Sequence, residues 1–129
     1  MSKFLLLASA LLLIVGCGPA GPHMVTVTGN VTRDGKPVQG GSISFENPAT
    51  GYASRSDVGN GTYQVSIPTG EYQVAVEPSM VEVASKNPNS PPMKKYDNSI
   101  PAKYHSVRTS ELKASVSDSQ TSFDFDLKN

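Results

Sequence analysis

Asn60-Gly61-Thr62-Tyr63-Gln64-Val65-Ser66-Ile67-Pro68-Thr69-Gly70-Glu71-Tyr72-Gln73-Val74-Ala75-Val76-Glu77 is the stretch that decides the fold. Tyr63, Val65 and Ile67 alternate with Thr62, Gln64 and Ser66, and Tyr72, Val74 and Val76 alternate with Glu71, Gln73 and Glu77. A period of two puts each apolar set on one face of an extended strand, which is the pattern of half-buried antiparallel sheet. Pro68-Thr69-Gly70 joins the two runs tightly, and Asn60-Gly61 before them is a strong hairpin signal because both residues tolerate positive φ.

The same alternation extends outward in both directions. Val25, Val27 and Val31 share a face, with Gly29 between them, and Ile43 and Phe45 alternate with Ser42, Ser44 and Glu46. Downstream, Leu112, Ala114 and Val116 form a fifth run, and Phe123, Phe125 and Leu127 form a sixth. A weaker seventh strand is expected near Gly51 to Arg55. Asp34-Gly35-Lys36-Pro37 reads as a turn, and Ser117-Asp118-Ser119-Gln120 joins the last two strands. Seven short strands in a domain over 25–129 predict an all-β, seven-stranded antiparallel Greek-key-like β-sandwich. With 129 residues, 11 glycines and 10 prolines, the chain suits one small domain rather than two.

Residues 78–109 break the rhythm with five prolines and are expected to form a long loop, in which Met80, Val81 and Val83 extend the preceding strand or cover an open sheet edge. Formal net charge is zero, which argues against nucleic acid as a partner. Yet residues 86–108 hold five basic side chains and one acidic one. Lys94, Lys95, Tyr96, Lys103, Tyr104, His105 and Arg108 are therefore the candidate ligand-contact residues, suited to a carbohydrate, an anionic polymer or a lipid headgroup. The plain alternative is a solvated loop kept soluble by its lysines.

The N-terminus reads as an address. Lys3 precedes an apolar run over 4–15 broken only by Ser9. That is too short for a membrane span, which needs about 20 residues, and fits a signal-peptide core. Leu13-Ile14-Val15-Gly16-Cys17 resembles the bacterial lipoprotein lipobox. The resemblance implies a signal peptide over 1–16, cleavage before Cys17, and lipid on the Cys17 thiol and amino group. Two or more acyl chains give stable anchoring at about 0.8 kcal/mol per buried CH₂. Residues 17–24 then form a lipidated tether, and Gly18 in place of aspartate implies an outer-membrane destination in the cell envelope. The expected partners are the membrane, through Cys17, and an envelope protein or polysaccharide.

Val27-Thr28-Gly29-Asn30-Val31-Thr32-Arg33-Asp34-Gly35-Lys36-Pro37-Val38 followed by Gly41-Ser42-Ile43-Ser44-Phe45 resembles the opening of carboxypeptidase regulatory-like domains. Asp57, Gly61-Thr62-Tyr63 and Pro68-Thr69-Gly70-Glu71-Tyr72-Gln73-Val74 resemble that family's second motif, with Asp57 and Gly61 one residue further apart than usual. The tail from Ile100 to Leu127 is similar to small planctomycete-type lipoproteins of this group. The resemblance implies a transthyretin-like (prealbumin-like) sandwich, with Gly29, Gly35, Gly61 and Gly70 at turns and close approaches. It implies no single activity.

Catalytic and metal readings are thin. His23 falls in the tether, where nothing is expected to hold it, and His105 is the only histidine within the domain, too few ligands for zinc or for a Tyr/His iron site. The transthyretin-like hydrolases carry several active-site histidines and a terminal Tyr-Arg-Gly-Ser motif, which Asp126-Leu127-Lys128-Asn129 does not match. Asp57, Asn60, Asp124 and Asp126 invite a calcium reading, but no EF-hand spacing is present. Asp124 and Asp126 are expected on a solvated strand face that discourages edge pairing. The expectation is therefore no enzyme, no cofactor and no metal, but an envelope lipoprotein displaying one structural or interaction module. The alternatives are a carbohydrate- or polyanion-binding module that uses the 78–109 loop and, less favoured, a transthyretin-like hydrolase.

Overall fold

A computed structural model describes residues 21–129. The signal peptide expected over 1–16, and Cys17 with the first part of the tether, lie outside the described residues. Ten strands follow in order: β1 (Met24–Arg33), β2 (Lys36–Pro37), β3 (Ser42–Glu46), β4 (Ala53–Asp57), β5 (Thr62–Pro68), β6 (Gly70–Glu77), β7 (Met80–Val83), β8 (Met93–Tyr96), β9 (Leu112–Val116) and β10 (Phe125–Leu127). One 3-10 turn, Ala102–His105, precedes β9.

Two sheets pack face to face. One has the order β4-β3-β6-β9, all antiparallel. In the other, β1 lies between β5 and β10, and its C-terminal end folds back onto β2. Their inner faces carry the core: Val27 and Val31 from β1, Ile43 and Phe45 from β3, Val65 and Ile67 from β5, Val74 and Val76 from β6, and Leu127 from β10. Each such side chain contributes about 1.5–3 kcal/mol by leaving water. Phe45 sits at the centre, its ring 5.7 Å from Tyr63 and 6.1 Å edge-on from Tyr72. Both phenols reach backbone acceptors, Tyr63 donating to Phe123 O at 2.6 Å and Tyr72 to Pro68 O at 2.8 Å. Burial, reinforced by the nearby Asp124 charge, raises the Tyr63 phenol well above its ordinary value.

The β-sandwich expected from the sequence is present, with differences in detail. The Asn60-Gly61 turn has positive φ at both residues, and Gly59 and Thr62 exchange two backbone bonds of 3.0 Å, the two-residue hairpin anticipated for that dipeptide. Asp34 and Gly35 make a second such turn, which lets β2 form where only a turn was expected. The weak strand near 51–55 lies at 53–57. Its inward positions are Ser54 and Ser56, so it carries no apolar alternation to read.

The largest departure is β10. It does not form a hairpin with β9 but crosses to the opposite sheet and runs parallel to β1, Val31 opposite Phe125 and Arg33 opposite Leu127. The free edge of β1 was available because β5 holds the other one. Thr28 N donates to Thr121 O and Phe123 N donates to Thr28 O, both at 3.0 Å, which starts the parallel ladder. Gly29 makes the approach feasible: a Cβ there would stand 1.8 Å from Phe123 O.

Candidate functional site

The segment expected to be a long loop contains two short strands and the 3-10 turn. β7 and β8 pair as a two-stranded antiparallel ribbon, with Met80 opposite Tyr96, Val81 opposite Lys95, Glu82 opposite Lys94 and Val83 opposite Met93. Residues 84–92, with Pro88, Pro91 and Pro92, form the ribbon's connection and are mostly exposed. Met80, Val81, Met93 and Tyr96 are the large apolar side chains this ribbon leaves exposed, Met93 at 63%.

The predicted contact residues separate into three groups. Lys94, Lys95 and Tyr96 stand together on β8, all exposed. Lys103 and Arg108 are exposed near the 3-10 turn, with the Lys103 ammonium 4.8 Å from the centre of the Tyr104 ring. Tyr104 is not a contact residue. It is 5% exposed, and its hydroxyl accepts from Lys128 N at 2.9 Å and donates to Lys128 O at 3.0 Å. That pairing clamps the 3-10 turn onto the chain just after β10, so Tyr104 is withdrawn from the candidate site because it is consumed as core. His105 is half-buried, its Nε2 3.0 Å from Ile100 O and its ring 5.6 Å from that of Tyr96. It braces Tyr96 rather than offering a lone imidazole to solvent. Cys17 lies outside the described residues.

Two other expectations change. His23 is held after all, with Nε2 2.6 Å from Asp118 Oδ1. Asp124 and Asp126 are exposed, yet they are not merely a solvated face. Asp124 accepts from Asn30 N at 2.8 Å, while Asp126 accepts from Thr32 Oγ1 at 2.9 Å and Gly35 N at 3.2 Å. The Thr32 and Gly35 bonds, helped by Lys128, hold the Asp126 carboxyl below its ordinary value. These carboxylates are spent on fastening β10 to β1. Among the described residues no group of three His, Cys, Asp or Glu side chains is placed to hold a metal ion.

A cleft that the sequence did not reveal lies where the ribbon overhangs the outer face of the β4-β3-β6-β9 sheet. In β3 the inward residues are Ile43 and Phe45, so Ser42 and Ser44 point outward. Pairing puts Asp57 and Glu77 on either side of Ser42, and Arg55 beside Ser44, all on that outer face. Arg55 reaches diagonally to Glu77 at 2.9 Å. Met80 and Tyr96 close the opposite wall, giving a cleft of ≈390 Å³. Ser42 is 5% exposed, and its Oγ has no hydrogen-bond partner among the described residues. No motif spacing could have revealed this group, because residues 42, 55, 57, 77, 80 and 96 meet only through strand register and the fold-back of the ribbon. The one readable sign was that Ser42 and Glu77 each fall on the polar phase of a strand.

No family model matches the chain, and no curated protein matches it. Among solved structures, the chain is similar to that titled "Crystal structure of BcpA*(D312A), the major pilin subunit of Bacillus cereus", at 11% identity and a TM-score of 0.48. The match covers 81% of this chain, which spans only 29% of that one.

Proposed function

We propose that this protein is a lipid-anchored lipoprotein of the bacterial envelope, resembling the carboxypeptidase regulatory-like group, that displays a single β-sandwich as a non-enzymatic interaction module. The observation that carries the reading is the opposed placement of tether and ribbon. Met24 pairs with Pro68 at the end of the sandwich where β5 turns into β6. β6 then runs eight residues to Glu77, about 25 Å away, before the chain enters the ribbon. A domain held at Cys17 through residues 18–23 would therefore present the ribbon on the side away from its anchor.

Replacing Cys17 with serine tests the anchoring. The wild type should sediment with membranes and accumulate as a slower-migrating precursor under globomycin. The C17S variant should lose both behaviours. A C17S protein that still sediments with membranes and responds to globomycin would overturn the anchored reading.

A second reading, binding of an anionic polymer, is favoured by Lys94 and Lys95, both exposed on β8, and Lys86 in the ribbon's connection. It predicts salt-sensitive retention on polygalacturonate or heparin that weakens when Lys94 and Lys95 become alanine. A hydrolase of the transthyretin-like type finds little support, since the one histidine inside the domain is engaged by Ile100 O and Tyr96.

A further inference from the structure

We infer that the cleft between the ribbon and the outer sheet face binds a neutral saccharide ring. The inference rests on the interaction-module reading and supplies its ligand class. Three observations converge on it.

The first is the unpartnered Ser42 hydroxyl. A buried hydroxyl without a partner is costly, by about 1–3 kcal/mol, and a ligand that supplies the missing group beside it relieves that cost. The outward phase of Ser42 on β3 puts the residue in the lining of the cleft, between Asp57 and Glu77, with its Oγ covered.

The second is the charge balance of the walls. Asp57 and Glu77 against Arg55 leave the cleft slightly acidic, which disfavours a polyanion. The guanidinium disfavours a simple cation. A neutral ligand with many hydroxyls suits both, since each hydroxyl donates to a carboxylate and accepts from Arg55 or Ser42. Vicinal hydroxyls match the two-pronged geometry of carboxylates and guanidinium. The Arg55–Glu77 pair, with Arg55 exposed, costs little to rearrange.

The third is the opposite wall. Tyr96 and Met80 offer an aromatic and an apolar surface, and a pyranose ring has a face of C–H groups to lay against them. His105 behind Tyr96, itself fixed by Ile100 O, keeps that ring in position. The volume of the cleft, ≈390 Å³, falls in the range of small-ligand sites, about 300–1,000 Å³.

The test uses the full-length lipoprotein in detergent micelles, titrated calorimetrically with cellohexaose, chitohexaose, maltohexaose and mannohexaose as neutral probes, and with polygalacturonate as the anionic one. At least one neutral hexasaccharide should bind saturably, with little loss between low and high salt. Tyr96→Ala and Asp57→Asn should each weaken that binding tenfold or more. Ser42→Ala should weaken it severalfold while leaving the melting temperature unchanged or higher, because it removes an unpaired hydroxyl. Lys94→Ala with Lys95→Ala should leave it intact. Two outcomes overturn the inference: no neutral probe binds, or binding persists undiminished in both the Tyr96 and Ser42 variants. Binding of polygalacturonate alone, lost with the two lysines, also overturns it while supporting the polymer reading. None of these results bears on the anchoring, which Cys17→Ser decides separately.

Discussion

Two backbone positions set opposite limits on this molecule. Gly29 lies where Phe123 O comes closer to β1 than any Cβ allows, with the Tyr63 hydroxyl also within 2.9 Å of the added atom. Gly29→Ala should therefore push the segment around Phe123 off β1 and break the Tyr63 hydrogen bond. The expected loss is roughly 3 kcal/mol in urea unfolding, at the upper end for overpacking. A variant that unfolds at the wild-type urea midpoint would refute the close-approach account. Glu111 is the reverse case. It is exposed and has a φ of 60°, a left-handed conformation imposed just before β9. Left-handed backbone costs a non-glycine residue about 1–2 kcal/mol, and glycine gives part of that back as unfolded-chain entropy. Glu111→Gly should thus raise stability by about 0.5–1 kcal/mol, measured as a higher urea midpoint with the same slope. A lowered midpoint would mean that the Glu111 side chain makes a stabilising contact that outweighs the backbone strain.

At the scale of elements, what the sequence made legible follows from where apolar side chains alternate. β1, β3, β5, β6 and β9 could be placed because their inward positions are valines, isoleucines and aromatics, with leucine and alanine in β9, and the Asn60-Gly61 turn because its φ requirement selects its residues. β4 was nearly silent because serines fill its inner face. The direction of β10 could not be read at all: alternation gives a strand's faces but not its neighbour, and only the missing side chain of Gly29 hinted at a close approach. The ribbon was hidden for a different reason. Its strands are four residues each, and none of them turns a face into the main core, so pattern and burial give no contrast. That also makes it the weakest element. An isolated two-stranded ribbon is marginal in water, and this one has no third strand among the described residues. Amide exchange at 80–83 and 93–96 should be fast relative to β3 and β6, and limited proteolysis should cut first within 84–92. Protection in the ribbon equal to that of β6 would show support from the sandwich that its pairing does not reveal.

For the whole molecule, stability should fall on the acid side in part through one carboxylate. The Asp126 carboxyl is held below its ordinary value of 3.8 by Thr32 and then Gly35. A depressed carboxylate adds stability above its unfolded-state value and loses it as pH falls through the folded-state value. Asp126→Asn should therefore melt lower than wild type at neutral pH, and the gap should shrink steadily below pH 3.8. A gap independent of pH would assign the effect to packing rather than charge. The candidate cleft is also a property of the whole molecule. Its residues come from three sandwich strands and both strands of the ribbon, so a ligand there would be linked to ribbon order and should slow the exchange of β8.

The parallel embrace of β1 by β10 has a consequence for how the protein is made. Val31 waits for Phe125, and Arg33 for Leu127, across more than ninety intervening residues. The first strand thus cannot complete its sheet until nearly the last residue of the domain has been synthesised, and contacts of such sequence separation make folding slow. A chain so wired keeps one edge of its first strand open while its other strands are already available to pair. The late arrival of β10 would then act as a timer, postponing completion of the β1 sheet until synthesis of the domain is nearly finished.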